Sequence, residues 1–460
     1  MTDIKQELID THCHLDMEAF EGDIDATLSR AADANIAYII NIGSDRESNI
    51  KGLEISRKYP NVYSSVGIHP HDAKTFGEAL HSEIRRWIKE PKVVAVGEIG
   101  LDYHYMHSSK EAQVEAFKKQ IALARDSGLP VIIHSREAED DTMTILRQET
   151  SGMAGVLHCF SGDMKTAEEA MELGFYISIA GPVTFKKADM LRDVAKKIPD
   201  ERLLIETDAP YLSPEPMRGK RNEPSFLKYT AEAVAKIRGV TLEDLARITT
   251  LNAKRLFRVG VIPDKGEIAY RIRDSLYLNV TSRCTNSCGF CVRFNTSFVK
   301  GHNLKLDNEP TAEELIKAIG APEKYKEIVF CGLGEPMLRL DVVKEVSAWV
   351  KQQGGRVRIN TNGHGNLIHK RNIVPELSGV VDSLSISLDA EDAGKYDQVC
   401  KPAFRDAFNG VLSFIKEAKK IIPEVTVTVV AIPEIDIDKC KAIAEELGVE
   451  LRVREFNTVG

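Results

Sequence analysis

The sequence predicts an α/β chain with two barrel-type domains, a (β/α)8 TIM barrel followed by a partial (β/α)6 barrel. The chain has 460 residues, which is too long for a single domain with one hydrophobic core, although a barrel of about 250 residues counts as one domain. Short apolar, β-branched runs alternate with longer helical patterns, which indicates parallel sheets covered by helices. A segment rich in structure breakers separates two such series of runs.

The first series has eight strand-like runs and ends near Pro210. Between the runs lie amphipathic stretches such as "EAQVEAFKKQIALARDSG", in which Gly128 is a stop signal. A last helix, "TLEDLARITTLNAKRLF", closes the series near Phe257. We therefore predict a closed barrel over residues 1–258. The eight runs are "LIDTHCH", "YIINIGS", "VYSSVGIHP", "VVAVGEIGLD", "PVIIHSR", "GVLHCFSG", "FYISIAG" and "LLIETDAP".

The second series follows a linker, residues 259–266, in which Pro263 and Gly266 break regular structure. It opens with "IAYRIRDSLYLNVTSR", which predicts two short strands across an Asp274–Ser275 turn. Counting from "LYLNVT", six strands are expected, too few for a closed eight-fold barrel. We therefore expect an open partial barrel over residues 267–460. Its later strands are "EIVFCGLGEP", "RVRINTNG", "DSLSISLDA", "VTVTVVAIP" and "LRVREF".

Composition and charge restrict the classes of function. The residues are 43% hydrophobic and 28% charged, and the net charge is −8. That charge argues against a broad, sequence-independent grip on a nucleic-acid backbone but leaves room for a small basic site. No signal peptide and no run of about 18 apolar residues is visible, so we expect a cytoplasmic protein without a membrane partner. Three of the eight cysteines are clustered, and in a reducing compartment metal ligation is the first interpretation.

Six metal-binding side chains lie at the predicted carboxyl ends of strands in the first series. These ends meet at one rim of a parallel barrel, where reactive residues are found. Imidazoles and carboxylates in this number suit one or two divalent cations, which polarise an ester and generate a hydroxide nucleophile. Any one residue alone could be a solvated loop residue, but six at the ends of five strands favour a metal site. The six are His12, His14, Glu98, His134, His158 and Asp208.

The first 258 residues resemble the TatD-type metal-dependent deoxyribonucleases of the amidohydrolase superfamily. The resemblance rests on "DTHCHLD", "GIHPH", "GEIGLD", "HSR", "HCFSG", "ETDAPYL" and "RGKRNEP", in this order. It implies five metal ligands (His12, His14, Glu98, His134 and His158) and makes Asp208 a ligand or the base that orients the attacking water. Glu98 and Asp208 are thus the candidate catalytic residues, and Glu98 stands where other branches of the superfamily place a modified lysine. The expected substrate is DNA or another phosphodiester, with two metal ions of the Mg2+/Mn2+ class.

Four further side chains near this rim are candidates for holding substrate phosphate. An arginine suits phosphate because its planar fork donates two hydrogen bonds. Equally, each side chain could be a solvated surface charge or a satisfied loop histidine. Cys13 and Cys159, which each follow a predicted ligand, are expected to be packing residues. The four candidates are His69, Arg136, Arg218 and Arg221.

The second candidate site is a cysteine triplet, Cys284, Cys288 and Cys291, spaced C-x3-C-x2-C directly after a strand. A disulfide would leave one cysteine over. A structural zinc site normally needs four ligands, and Cys331 could supply the fourth. A [4Fe–4S] cluster held by three thiolates keeps one iron open for an outside ligand, and this spacing suits that arrangement best.

This half of the chain resembles the radical S-adenosylmethionine (SAM) superfamily, over roughly residues 267–460. The resemblance rests on the cysteine motif with Phe290 before its last cysteine, and on "CGLGEP" after the next strand. It implies a [4Fe–4S] cluster, SAM as cofactor and an electron donor such as flavodoxin or ferredoxin. Ile432 could pack on adenine or in the core, and Cys400 is expected to be structural, with a substrate-facing thiol as the alternative. The expected SAM contacts are Phe290, Gly332, Gly334, Glu335, Asn360, Asn362, Ser387 and Asp389.

Three functions remain open from the sequence. The main hypothesis is a two-activity enzyme that hydrolyses a phosphodiester and uses SAM for a radical modification of an unknown substrate. The second keeps the metal site but assigns it an amide substrate. The third treats the cluster as a structural or sensing module that docks a nuclease on nucleic acid, although such a module has no need of "GLGEP". The open barrel mouth suits a protein or nucleic-acid substrate, with a small nucleotide as the alternative. We expect it to be closed by the substrate, by a partner or by the first domain.

Overall fold

The computed structural model describes residues 7–456. The chain divides into two compact units, Met1–Ile262 and Pro263–Gly460. Each unit has its own buried hydrophobic core. Within the described residues, no helix is long and apolar enough to cross a membrane.

The first unit is the predicted eight-stranded parallel barrel. Its strands follow one another around the sheet in chain order, from β1 to β8. An isolated parallel bridge between Cys13 and Ala209 joins the last strand region to the first. The strands are β1 (Leu8–Cys13), β2 (Ile36–Asn41), β3 (Val62–Val66), β4 (Val93–Asp102), β5 (Val131–Arg136), β6 (Gly155–Leu157), β7 (Phe175–Ile179) and β8 (Leu203–Ile205).

In the described part of the first unit, nine helices cover the barrel, and local sequence signals set their ends. The Ser109 side chain accepts a hydrogen bond from the Ala112 amide at the start of α4, and Gly128 ends that helix with a φ of 66°. Thr241 caps the start of α9 in the same way. The helices are α1 (Ile24–Asp33), α2 (Arg46–Lys58), α3 (Glu78–Trp87), α4 (Lys110–Ser127), α5 (Glu139–Glu149), α6 (Met164–Glu172), α7 (Asp189–Lys197), α8 (Leu227–Arg238) and α9 (Leu242–Phe257).

The second unit contains one seven-stranded sheet in the order β17-β16-β15-β14-β13-β10-β9. Six of these strands are parallel, as predicted, and β9 pairs antiparallel with β10. The predicted turn is displaced by one residue, because β9 ends at Ile272 and Ser275 already begins β10. The strands are β9 (Ala269–Ile272), β10 (Ser275–Leu278), β13 (Ile328–Phe330), β14 (Val357–Thr361), β15 (Ser383–Ser387), β16 (Glu424–Ala431) and β17 (Glu450–Glu455).

Helices follow the parallel strands of the second unit and bury one face of the sheet. A two-stranded ladder, β11 (Phe298–Val299) and β12 (His302–Asn303), lies between β10 and the first helix. The first helix, α10, begins with a capping box in which Thr311 and Glu314 bond reciprocally. The helices are α10 (Ala312–Ile319), α11 (Leu340–Gln352), α12 (Gly365–His369), α13 (Ala393–Cys400), α14 (Ala407–Ile421) and α15 (Ile437–Leu447).

Candidate functional site

The first barrel brings one group of predicted ligands together at the end of β1. His12 lies on this strand and His14 directly follows it, and their Nε2 atoms lie 3.3 Å apart. The Asp208 Oδ1 atom lies 3.7 Å from the Nε2 of His12 and 3.6 Å from that of His14. The barrel closure sets this geometry, because the Asp208 amide donates to the carbonyl of His12 at 2.9 Å. These three side chains form one potential cation site.

A second group surrounds the other side of Glu98. The Glu98 Oε1 atom lies 2.8 Å from the Nδ1 of His134 and 2.6 Å from the Nε2 of His158. Its Oε2 atom lies 3.4 Å from the Nε2 of His12 and 3.9 Å from that of His14. One carboxylate therefore faces both groups of donors, as a bridging ligand between two cations would.

The donor set fits divalent cations. With metal–ligand distances of about 2.1 Å, ligand atoms around one ion lie roughly 3.0–3.5 Å apart, close to the observed separations. His12 and Glu98 are buried, and two imidazole nitrogens facing each other without a cation satisfy at most one hydrogen bond. Burial opposes ionisation of Glu98, yet His158 and His69 hold its pKa well below the ordinary value. Burial also opposes ionisation of Asp208, but the hydrogen bond from His14 together with the charges of His12 and His158 lowers its pKa.

Two acidic residues that were not predicted from the sequence lie beside the ring nitrogens of candidate histidines that face away from Glu98. Asp102 Oδ2 lies 3.2 Å from the Nε2 of His134 and 2.9 Å from the Nε2 of His71. A proton on the His134 Nε2 leaves its Nδ1 free to face Glu98, which is the usual role of an outer carboxylate. Glu206 lies 3.4 Å from the Nδ1 of His158 and accepts a hydrogen bond from the Cys159 amide. Both residues stand inside quoted motifs, "GEIGLD" and "ETDAPYL", and that was the available signal.

The four predicted phosphate-binding residues have different surroundings. His69 joins the ligand region, with its Nε2 3.6 Å from Glu98 Oε1. Arg136 is exposed at the end of β5 and lies over Tyr105. Arg218 lies over the Phe185 ring. Arg221 donates to Asp23 and to the carbonyl of Ala19, contacts that favour a structural role for this residue.

The cysteines beside the ligands do not face a common metal position with them. Cys13 is buried in the hydrophobic core, in keeping with the packing role expected for it. Cys159 is held with a φ of 41°, and its amide is taken by Glu206. Burial raises the pKa of both thiols well above the ordinary value, so both stay protonated.

The second unit gathers the cysteine triplet at a cavity of about 660 Å3. Cys284, Cys288 and Cys291 all line this cavity, and so does Cys331. The loop that carries the triplet rests on the end of α13, where the Ser287 amide donates to the Cys400 carbonyl at 2.9 Å. All the cysteines in the described part of the chain are free thiols. The disulfide alternative therefore has no support there.

The cysteine loop offers hydrogen bonds to sulfur, as an iron–sulfur site requires. The Asn286 amide and the Asn362 side chain lie 3.4 Å and 3.8 Å from the Cys284 Sγ atom. Burial raises the pKa of Cys284 to about 11, so this thiol ionises only when a cationic group binds it. A hydrogen bond with Cys288 raises the pKa of the buried Cys400 thiol. The donor set fits a cluster held by three thiolates, with Cys400 behind one of them.

The glycine-rich turn after β13 packs tightly against the strand that precedes the cysteines. A side chain on Gly332 would meet the Asn279 Oδ1 atom at 2.2 Å, and one on Gly334 would meet the Arg283 carbonyl at 2.3 Å. These glycines therefore permit the turn to pack closely on the protein's own backbone and side chains. The sequence had led us to expect that they permit close approach of SAM to the backbone. The turn places Glu335, which is buried, at the wall of the cavity.

Glu335 is held firmly in one orientation. Its carboxylate accepts hydrogen bonds from the Asn362 amide at 2.7 Å, the Met337 amide at 2.9 Å and the Thr361 hydroxyl at 2.7 Å. Burial outweighs these bonds and raises the pKa of Glu335 to about 7. A cationic ligand at this wall would therefore be recognised by a carboxylate that titrates near neutrality.

The other predicted SAM contacts line the same cavity, namely Phe290, Asn360, Asn362, Ser387 and Asp389. Asp389 is buried, and its Oδ1 atom has no hydrogen-bond partner within the described residues. Ile432 packs against the hydrophobic core of this unit. One wall was not predicted: Arg452 and Arg454 on β17 also line the cavity.

Comparisons with known proteins cover both units. Residues 9–258 match the TatD related DNase family, and residues 278–447 match the Radical SAM superfamily. The uncharacterized metal-dependent hydrolase YabD of Bacillus subtilis is 47% identical over 258 residues, which cover 55% of this chain and 100% of YabD. The 3'-5' ssDNA/RNA exonuclease TatD of Musicola paradisiaca is 38% identical, over 56% of this chain and 100% of its own.

A solved structure supports the fold of the first unit. The crystal structure of YJJV, a TatD homolog from Escherichia coli K12, aligns with 55% of this chain and 98% of its own chain. The TM-score is 0.53 and the sequence identity is 33%.

Proposed function

We infer the function from the premise that the chain belongs to the TatD related DNase family and also carries a radical SAM domain. We propose a two-activity enzyme. The first site hydrolyses phosphodiester bonds in DNA or a related single-stranded nucleic acid, and the second cleaves SAM reductively to start a radical modification. We propose domain limits of 1–258 and 267–460, joined by 259–266. The oxygen-sensitive chemistry of the second site suits a reducing, cytoplasmic setting.

One observation carries the hydrolase proposal: the two oxygens of Glu98 face separate groups of donors at 2.6–3.9 Å. We propose that His12, His14 and Asp208 hold one cation and that His134 and His158 hold the other, with Glu98 between them. Divalent cations supply Lewis-acid activation of a phosphodiester and of the attacking water. Because the pKa of Asp208 is lowered, its carboxylate is ionised near neutral pH and can serve as a cation ligand or orient the attacking water.

A substrate panel tests the hydrolase proposal. Purified protein with Mn2+ or Mg2+ should shorten single-stranded oligonucleotides and leave cyclic amides intact. His14→Ala and Asp208→Asn should each lower this turnover by roughly 10^3-fold or more, since they remove a ligand or the base. Faster hydrolysis of a cyclic amide than of any oligonucleotide would favour the amidohydrolase alternative. Full turnover in both variants would mean that the site is misplaced.

For the second site we propose that Cys284, Cys288 and Cys291 hold a [4Fe–4S] cluster. Such a cluster with an open iron supplies the electron that cleaves SAM. Glu335 accepts hydrogen bonds from the amino group of SAM, and the polar side chains at the ends of β14 and β15 position its remaining groups. The electron comes from a donor of the flavodoxin or ferredoxin class. The fixed orientation of Glu335 at the cysteine cavity supports this function over a purely structural cluster, which needs no ligand carboxylate.

A further inference from the structure

We propose that the radical site accepts a substrate with a terminal phosphate group and that Arg452 and Arg454 bind this phosphate. The inference rests on the proposed SAM chemistry of the second unit, whose substrate class it names. Both arginines lie on β17, the sixth parallel strand, and both line the cysteine cavity.

Along β14 to β16 the inner face of the partial barrel is largely polar, which is unusual, because small parallel barrels normally fill their interior with branched apolar side chains. Strand register shows the pattern directly, since paired residues on adjacent parallel strands point to the same face. Asn360 pairs with Ser385, which pairs with Thr426. One layer further, Ser387 pairs with Thr428. A polar, open interior suits a polar substrate.

The same register orients the two arginines. Arg452 pairs with Thr428, and Arg454 pairs with the cavity-lining Val430. The alternate residues, Leu451 and Val453, pair with Val427 and Val429, which are buried in the hydrophobic core beneath the helices. The arginines therefore stand on the concave side of the sheet, toward the cysteines.

Neither arginine is neutralised within the described residues. Arg283, Arg339 and Arg358 of the same unit each form a salt bridge with a glutamate, whereas Arg452 and Arg454 have no such partner there and are exposed. Burial raises the pKa of Asp389 across the cavity, and the charge of Arg454 partly offsets that rise. Asp389 and Glu455 line the cavity as well, but within the described residues neither forms an ion pair with these arginines, so two guanidinium groups remain available to a ligand anion.

The spacing and charge favour phosphate. Side chains two residues apart on a strand lie roughly 6.6 Å apart, so two guanidinium forks can close on one anion from both sides. A phosphate monoester carries a charge of about −1.5 to −2 near pH 7 and offers three strong acceptor oxygens. Hydrolysis of a phosphodiester leaves such a monoester, so the reaction proposed for the first unit belongs to the class that supplies this group.

Two other roles are physically reasonable for these arginines. Charged side chains can protect an edge strand from pairing, and an arginine can hold the carboxylate of SAM. The first role predicts no ligand dependence at all. The second predicts a loss of SAM affinity. A substrate protein that presents carboxylates instead of phosphate is a third outcome.

The test uses the full chain with its cluster reconstituted anaerobically, SAM at saturation and Asp208→Asn to suppress hydrolysis. Calorimetry then measures binding of a trinucleotide with a 5'-phosphate, the same trinucleotide with a 5'-hydroxyl, a nucleoside 5'-monophosphate, inorganic phosphate and a glutamate-rich peptide. We expect Arg452→Gln combined with Arg454→Gln to weaken one phosphate-dependent binding event at least tenfold. Arg405→Gln, an exposed arginine outside the cavity, is the matched control and should retain that event.

The probes distinguish the sources of the phosphate. Equal affinity for the monophosphate and the phosphorylated trinucleotide would identify the ligand as a mononucleotide. Tighter binding of the trinucleotide would identify it as the phosphorylated end of a nucleic acid. The inference is overturned if the double variant binds phosphate probes like the control, if it loses SAM affinity in parallel, or if the peptide binds more tightly than every phosphate probe. Failure of the proposed radical function is distinguishable, because a loaded cluster would then yield no 5'-deoxyadenosine.

Discussion

Replacing Glu98, the proposed bridging carboxylate, tests the hydrolase site most sharply. Glu98→Gln keeps the size of the side chain but removes its charge and gives one of the two donor groups an NH2 in place of an oxygen. The side with His134 and His158 then loses the anionic ligand that faces it at 2.6–2.8 Å. We expect this variant to fold, to bind fewer metal ions and to lose nuclease activity.

The charge sets the size of the effect. A divalent cation about 2.1 Å from a carboxylate oxygen interacts with it by about 4 kcal/mol even at the dielectric constant of water, which corresponds to roughly 1000-fold in affinity. The expected result is loss of at least one Mn2+ or Mg2+ ion per chain.

The assay is metal content by mass spectrometry after gel filtration, together with calorimetric metal affinity and circular dichroism as a folding check. Asp10→Asn is the matched control. Asp10 is a buried carboxylate two residues before His12, and burial raises its pKa to about 7, so an uncharged amide is a mild change there. Two tightly bound ions in Glu98→Gln would refute the bridging role.

Three further predictions follow. The affinity of the wild-type protein for SAM, divided by that of Glu335→Gln, should rise about tenfold from pH 6 to pH 8. The reason is that a carboxyl with a pKa of about 7 is protonated below that pH and ionised above it. A constant affinity ratio would contradict this. Cys288→Ala should abolish 5'-deoxyadenosine formation and leave oligonucleotide hydrolysis within about twofold, while the buried control Cys440→Ala retains both; loss of both activities in Cys288→Ala would argue against independent sites. Chelation should lower the melting temperature of the first unit by roughly 5–10 °C, since ions at a hundred times their Kd stabilise by about 2.7 kcal/mol; an unchanged melting temperature with EDTA would show that the group binds no ion in the folded state.

The strand ends could be predicted from the sequence because both sheets are parallel and their apolar runs are continuous. The six candidate ligands followed from that pattern. The sequence did not predict that the two Glu98 oxygens face different groups of donors, because this depends on the orientation of the carboxylate. Asp102 was missed for a related reason: it lies four residues beyond Glu98 on β4, and only the path of that strand brings it to His134.

Contacts between residues far apart in the chain could not be predicted from the sequence either. Arg221 looked available for phosphate, but Asp23 from a distant loop takes its guanidinium. Conversely, nothing in "LRVREF" marked Arg452 and Arg454 as cavity residues, and the register of β17 against β16 pairs Arg454 with the cavity-lining Val430. The face to which a side chain on an edge strand points can be predicted only when the pairing register of that strand is known.

The central claim is that one chain joins a TatD-type hydrolase to an active radical SAM enzyme. Its most direct test is the yield of 5'-deoxyadenosine from full-length protein reconstituted with iron and sulfide, given SAM and dithionite without oxygen. We predict that protein with about four irons per chain forms 5'-deoxyadenosine and methionine in equal amounts. Four bound irons with intact SAM and no 5'-deoxyadenosine would contradict the claim.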